Sequence, residues 1–119
     1  MKRTLQLGHQ GKQIELNYLL NKKYVLIVRN WIHFKKEIDI ILTYKQYLVF
    51  VEAKFRSIFF SSVHNIISID QEKRLQEAMD CYIKEKKIDL EPRFELIFIT
   101  NFKQKQKINH FPSFIQPRI

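Results

Sequence analysis

Charged side chains set inside otherwise apolar strands constrain this chain more than any other feature. Residues 37–43 (EIDIILT) and 47–54 (YLVFVEAK) are rich in β-branched and aromatic residues, and Glu37, Asp39, Glu52 and Lys54 interrupt them. Burying an unpaired charge is costly, so a fold that takes these strands inside must give each charge a partner. Side chains alternate along a strand, which puts Glu37 with Asp39 and Glu52 with Lys54. If Lys45 and Gln46 form a two-residue turn, Tyr44 pairs with Tyr47. The same register sets Asp39 opposite Glu52 and Glu37 opposite Lys54. All four then share one face, with opposed Cβ atoms roughly 5 Å apart. Two carboxylates that close stay ionised together only with a cation between them; otherwise one takes a proton. Hard divalent ions such as Mg²⁺ or Mn²⁺ prefer oxygen ligands, and a lysine beside the ion can hold the attacking water whose pKa the ion lowers. That is a workable centre for cutting a phosphodiester. The plainer reading leaves Asp39 and Glu52 in ordinary salt bridges with Lys54 and Arg56.

The surrounding pattern predicts an α/β domain spanning residues 1–119. Leu7, Gly11, Ile14 and Tyr18 recur at helical steps, which predicts a helix over 8–21. Residues 24–31 read as a strand, then the two acid-bearing strands follow as an antiparallel pair, then a loop over 55–64. Leu75, Ala78, Met79, Tyr82 and Ile83 mark a helix over 70–87, with Asp70 as its N-cap. Pro92 punctuates, and residues 93–100 form a last strand. The tail from about Phe102 is basic, then aromatic, and is expected on the surface or reaching a partner. The order is α-β-β-β-α-β. Strands apolar on both faces require a central mixed sheet flanked by helices.

Lys plus Arg number 21 against 12 Asp plus Glu, a net charge of +9. Such a domain attracts anionic partners, nucleic acid first and an anionic membrane surface next. Two glycines and one cysteine exclude a Gly-rich phosphate loop, a disulfide scaffold and a zinc ribbon. No apolar run approaches the 20 or so residues of a membrane span, and residues 4–15 do not read as a signal peptide. A cytoplasmic protein is therefore expected. Lys35 and Lys36 directly precede the acidic motif and are the best candidates for backbone phosphate contact. His9, His33, His64 and His110 are scattered without ligand-like spacing, and Cys81 reads as a small boundary residue. Phe59 and Phe60, after the second acidic strand, are candidates for stacking on an unpaired base. No dimer seam is legible, although a homodimer would suit a nuclease.

EIDII at 37–41 followed by LVFVEAKFR at 48–56 resembles the YraN-type family of small bacterial proteins, Uncharacterised Protein Family 0102. Gly8-x-x-Gly11, Tyr18-Leu19, Arg29-Asn30-Trp31, Leu75 with Ala78, and Arg93-Phe94 fit the same resemblance. It implies a restriction-endonuclease-like core of the PD-(D/E)xK type. It also implies Mg²⁺- or Mn²⁺-dependent hydrolysis of DNA, on branched or single-stranded structures. Asp39 and Glu52 would be metal ligands, the Ala53 carbonyl a third, Lys54 the catalytic lysine and Arg56 a phosphate contact. This chain departs from the family at two places. Gly11-Lys12 stands where the family has Gly-Glu, and Glu15, one turn later, is the substitute acid. Lys73 is the lysine nearest to the one the family carries near Gln71. Lys12 and Lys73 then count as nucleic-acid contacts. The rival expectation is a catalytically impaired module of nuclease fold that binds nucleic acid or a protein partner without turnover.

Overall fold

The computed structural model describes residues 2–56, 67–102 and 105–115, with side chains over 11–55, 67–100 and 105–112. Its elements are α1 (Lys2–Asn21), β1 (Val25–His33), β2 (Lys36–Tyr44), β3 (Tyr47–Arg56), α2 (Ile69–Lys86), β4 (Glu91–Phe102) and β5 (Lys105–Ile115). The five strands form one mixed sheet in the order β1-β2-β3-β4-β5. Only β3 and β4 run parallel, and α2 lies in the connection between them.

Each face of the sheet carries one helix, which is why β2 and β3 are apolar on both sides. Leu75, Ala78, Met79 and Tyr82 of α2 pack on Ile38, Ile41, Leu48, Phe50, Phe94, Leu96 and Phe98. Leu16 and Leu19 of α1 pack on Ile40, Leu42, Val49, Val51, Ile97 and Ile99. The Lys45-Gln46 turn forms as expected, with Tyr44 paired to Tyr47 and Lys45 at a left-handed φ of 55°.

The tail beyond Phe102 is not peripheral. Lys105–Ile115 pairs antiparallel with β4 and closes that edge of the sheet. Leu96, Ile97, Phe98 and Ile99 are buried, so β4 sits inside the sheet and needs a strand on each side. Pro112 and the lysines of the tail suit an edge strand, whose outer N–H groups need no ladder partner. Two helix starts also differ from the pattern. The first helix begins at Lys2, earlier than its apolar stripe. In α2 the N-cap is Ser68, whose Oγ accepts from the Gln71 N–H at 3.1 Å, and Asp70 lies inside the first turn. Asp70 and Glu72 there, and Lys84 and Lys86 in the last turn, both complement the helix dipole. Phe59 and Phe60 lie outside the described residues.

Gly11 fixes how closely α1 approaches β3. A Cβ at that position would stand 2.9 Å from Phe55 Cδ2, so the α1 backbone lies against the Phe55 ring only because residue 11 has no side chain. In an open helix Gly→Ala stabilises by about 1 kcal/mol. Here overpacking costs about 1–3 kcal/mol, so Gly11→Ala is expected to lower the melting temperature. The same change made on Phe55→Ala should raise it. Thermal melts of the four proteins check this, and stabilisation by Gly11→Ala alone would contradict the packing.

Candidate active site

The site begins where β2 and β3 stop pairing. Their ladder runs from Tyr44↔Tyr47 to Ile40↔Val51. Asp39 and Glu52 would be the next opposed pair in that register. There the Ala53 N–H instead donates to Asp39 Oδ2 at 3.3 Å. Strand alternation slips at the same point. Ile38 and Ile41 face α2, whereas Ile40 and Leu42 face α1, and Asn30, across from Asp39 in β1, has a left-handed φ of 52°.

This slip corrects the expectation of four charges on one face. Glu52 lines a cleft of about 400 Å³ on the α2 side, together with Lys35, Lys36, Gln71 and Arg74. Asp39 lines a smaller hollow of about 240 Å³ with Lys12 and Asn30, and Glu37 borders both. Lys54 does not pair across the strands with Glu37. Its Nζ lies 3.5 Å from Glu52 Oε1, on the same strand.

Glu15 joins this group from α1. It is 1% exposed, and its Oε1 has no hydrogen-bond partner among the described residues. Burial first, then the negative charges of Asp39 and Glu52, push its pKa up to about 9, against the opposing pull of Lys12 and Arg29. Glu52 is pushed up to about 7 by burial and then by Asp39, with Lys54 opposing. Asp39 is also raised by burial, and the Ala53 N–H, Lys12 and Lys54 work against that rise.

A second buried acid, Glu95, is met by protein side chains on one oxygen and by an ion pair on the other. Glu95 is 0% exposed, and its Oε1 accepts from the Tyr24 hydroxyl at 2.8 Å and lies 2.6 Å from His110 Nε2. Arg93 Nε stands 3.0 Å from Oε2 as an ion pair without hydrogen-bond alignment. Tyr18 then reaches His110 Nδ1 at 3.2 Å. Every partner of Glu95 is a side chain of the protein, so the group holds α1, β4 and β5 together. Glu15 has no such set.

Three carboxylates that resist ionisation without a cation fit an oxygen-preferring divalent ion. Asp39 and Glu52 are the residues to hold one, with Glu15 behind them. Among the described residues these three do not each bring an oxygen within 4.8 Å of the others, so closing on a single ion requires side-chain rotation. The expected phosphate contacts fall unevenly. Lys35 and Lys36 line the Glu52 cleft. Lys73 lies elsewhere, on the outer side of α2 with Glu72, Gln76 and Asp80, because one residue along a helix turns the side chain by about 100°. Arg74 takes the place expected of it, a position the apolar stripe of α2 would have located beside Leu75. Lys12 Nζ donates to Asn30 Oδ1 at 3.1 Å. Arg56 pairs with Thr100 in the ladder, and its side chain lies outside the described residues.

The raised pKa of Glu15 has a sign that can be measured. Between pH 4.5 and about 9, the unfolded chain has released a proton that the folded chain keeps, so stability falls as pH rises. Glu15→Gln removes this step. It should leave stability nearly unchanged at the acid end of that window, raise it at the alkaline end, and flatten the slope between. Thermal melts across that range decide, and an unchanged slope in the variant would contradict the burial of an uncompensated acid.

No described helix is long and apolar enough to cross a membrane. The model of the uncharacterised protein family UPF0102 matches residues 11–99. A UPF0102 protein of Flavobacterium psychrophilum is 35% identical over 106 residues, covering 88% of this chain and 89% of its own. One from Shewanella sediminis is 36% identical over 94 residues, covering 77% and 80%. One from Christiangramia forsetii is 32% identical over 106 residues, covering 88% and 89%. The matched stretch contains Glu15, Asp39, Glu52 and Lys54, and the chain belongs to the UPF0102 family.

Proposed function

We propose that this protein is a metal-dependent endonuclease that hydrolyses DNA phosphodiesters, recognising strand structure rather than base sequence. The observation that carries the reading is the buried carboxylate of Glu15, whose Oε1 has no hydrogen-bond partner among the described residues, near Asp39 and Glu52. Of these acids Glu52, together with Glu37, lines the cleft whose other walls bear Lys35, Lys36 and Arg74, while Asp39 lines the smaller hollow beside Lys12. A bound Mg²⁺ or Mn²⁺ would supply a water of lowered pKa and charge neutralisation at the phosphate. Asp39 and Glu52 would hold the ion, with the Ala53 carbonyl as a further ligand. Lys54, kept near Glu52, would orient the attacking water or steady the phosphate oxygen. Lys35, Lys36 and Arg74 would bind flanking phosphates without reading sequence. Phe34, 85% exposed at the tip of the β1–β2 hairpin beside Lys35, is suited to stack on an unpaired base.

Cleavage of linear, flapped and four-way DNA in Mg²⁺ or Mn²⁺ tests the reading. Lys54→Ala and Asp39→Asn should each lower the rate by about 10²–10⁴-fold, and Phe34→Ala should weaken binding to substrates with unpaired bases. Equal cleavage by wild type and both centre variants would defeat the assignment.

One observation favours the rival reading, a binding module without turnover. The Lys12 ammonium occupies the hollow that Asp39 lines, at the position where the family resemblance implies an acid. Lys12→Glu separates the two readings. A gain in cleavage means an enzyme restrained by Lys12. DNA binding without cleavage in either form means a module. In both cases duplex affinity should fall with salt at a log–log slope of about −0.9 per phosphate contact.

A further inference from the structure

His33, at the end of β1, and Cys81 and Glu85, on α2, bring one ligand atom each within 4.8 Å of one another. We propose that these three residues form a binding site for a borderline divalent transition metal, Zn²⁺ foremost, separate from the carboxylate cluster. Cys81 and Glu85 are four residues apart and so share a helix face, and His33 meets that face from the strand. The His33 Nδ1 to Glu85 Oε2 distance is 3.7 Å. Zn–ligand bonds of about 2.0–2.3 Å at tetrahedral angles need ligand atoms roughly 3.3–3.8 Å apart, so small rotations suffice.

The imidazole is already held. It lies parallel to Trp31, with centroids 5.8 Å apart at 12°, while the Phe34 ring meets it edge-on at 4.6 Å. Trp31 in turn packs edge-on against Tyr82 of α2 at 5.3 Å. Cys81 is half-buried, and the side chains of His33 and Glu85 are 37% and 40% exposed. An ion can therefore enter from solvent. The nearest competitor for Glu85 is Lys86, 3.9 Å away and itself exposed, a pair of little strength.

The donor set selects the ion. One sulfur, one imidazole nitrogen and one carboxylate oxygen suit Zn²⁺ or Co²⁺ and not Mg²⁺, which takes oxygen alone. Three protein ligands leave a fourth position for water. On binding, the Cys81 S–H gives its proton to solvent as the S–metal bond forms. The ion would tie the β1–β2 hairpin to α2, and none of the three ligands lines either hollow of the acid cluster.

The chain has one cysteine and one tryptophan, so both optical signals are unambiguous. Chelator-treated protein titrated with Co²⁺ should develop the near-ultraviolet thiolate-to-cobalt band, with Trp31 fluorescence quenched in step. Zn²⁺ should displace the cobalt and bleach the band. Cys81→Ser should lose the band. His33→Ala and Glu85→Ala should each weaken binding about tenfold or more, and Asp39→Asn should leave the midpoint unchanged. Zn²⁺ should also slow alkylation of Cys81 in the wild-type protein, a readout that needs no variant to fold. The proposal fails if saturating Co²⁺ gives no band, or if alkylation is indifferent to Zn²⁺. It fails equally if His33→Ala and Glu85→Ala keep the wild-type midpoint, or if the band arises only through cross-linking of two molecules at high protein concentration.

Discussion

The Ala53 N–H bond to Asp39 Oδ2 is the hinge of the molecule's chemistry. Beyond Ile40↔Val51 the described ladder of β2 and β3 ends, and a side chain takes the N–H that a strand partner would otherwise receive. A backbone donor inside a protein must be satisfied, and here an acid supplies the acceptor. The gap that this creates admits charged groups into a sheet that is apolar on both faces elsewhere. Glu52 and Lys54 flank it on β3, Glu37 and Asp39 on β2, and Glu15 reaches it from α1. The approach of α1 depends on Gly11, so a single missing side chain on the helix and a single side-chain acceptor on the strand set the geometry of all five.

The energetic character of the gap follows from how many acids it gathers. Each carboxylate loses hydration, and each raises the pKa of its neighbours. Lys12, Lys54 and Arg29 offset part of that cost without removing it, since Glu15 and Glu52 remain pushed up to about 9 and about 7. A protein selected for stability alone would replace such a cluster with apolar side chains of similar volume. Retaining it is intelligible if something positively charged visits. On the proposed reading the +9 net charge would matter in a second way: a field that draws in a polyanion also opposes a free cation, so ion and nucleic acid would favour each other's binding.

The hairpin register was legible because a two-residue turn leaves no freedom: once Lys45 and Gln46 are the turn, Tyr44 must meet Tyr47. The apolar stripes of α1 and α2 were legible for the same kind of reason, since burial on one side imposes a period. The slip at Asp39 was not, because it goes with a side-chain acceptor for the Ala53 N–H and a left-handed Asn30 in another strand, which no local pattern announces. The edge strand β5 was hidden by the features that fit it for an edge, its proline and its lysines. Arg74 was within reach of the periodicity. It neighbours the buried Leu75, whereas Lys73 falls on the outer side.

Glu15 and Glu95 show how the same buried chemistry diverges. Both are side chains with almost no exposure on the α1 side of the sheet. Glu95 is met by a tyrosine hydroxyl, an imidazole and a guanidinium, and its cost is offset within the fold. Glu15 Oε1, like Glu95 Oε2, has no hydrogen-bond donor among the described residues, and no described cation stands against it as Arg93 stands against Glu95. Lys12 and Glu15 are three residues apart, one turn of helix, and both act on Asp39, with Glu15 the more deeply buried of the two. The Lys12 ammonium offsets part of the charge of Asp39. The cluster thus carries a cation of its own at the rim and, in Glu15, an acid that burial keeps protonated up to about pH 9. On the proposed reading, a divalent ion would have to outcompete Lys12 for Asp39 and would favour ionisation of all three acids.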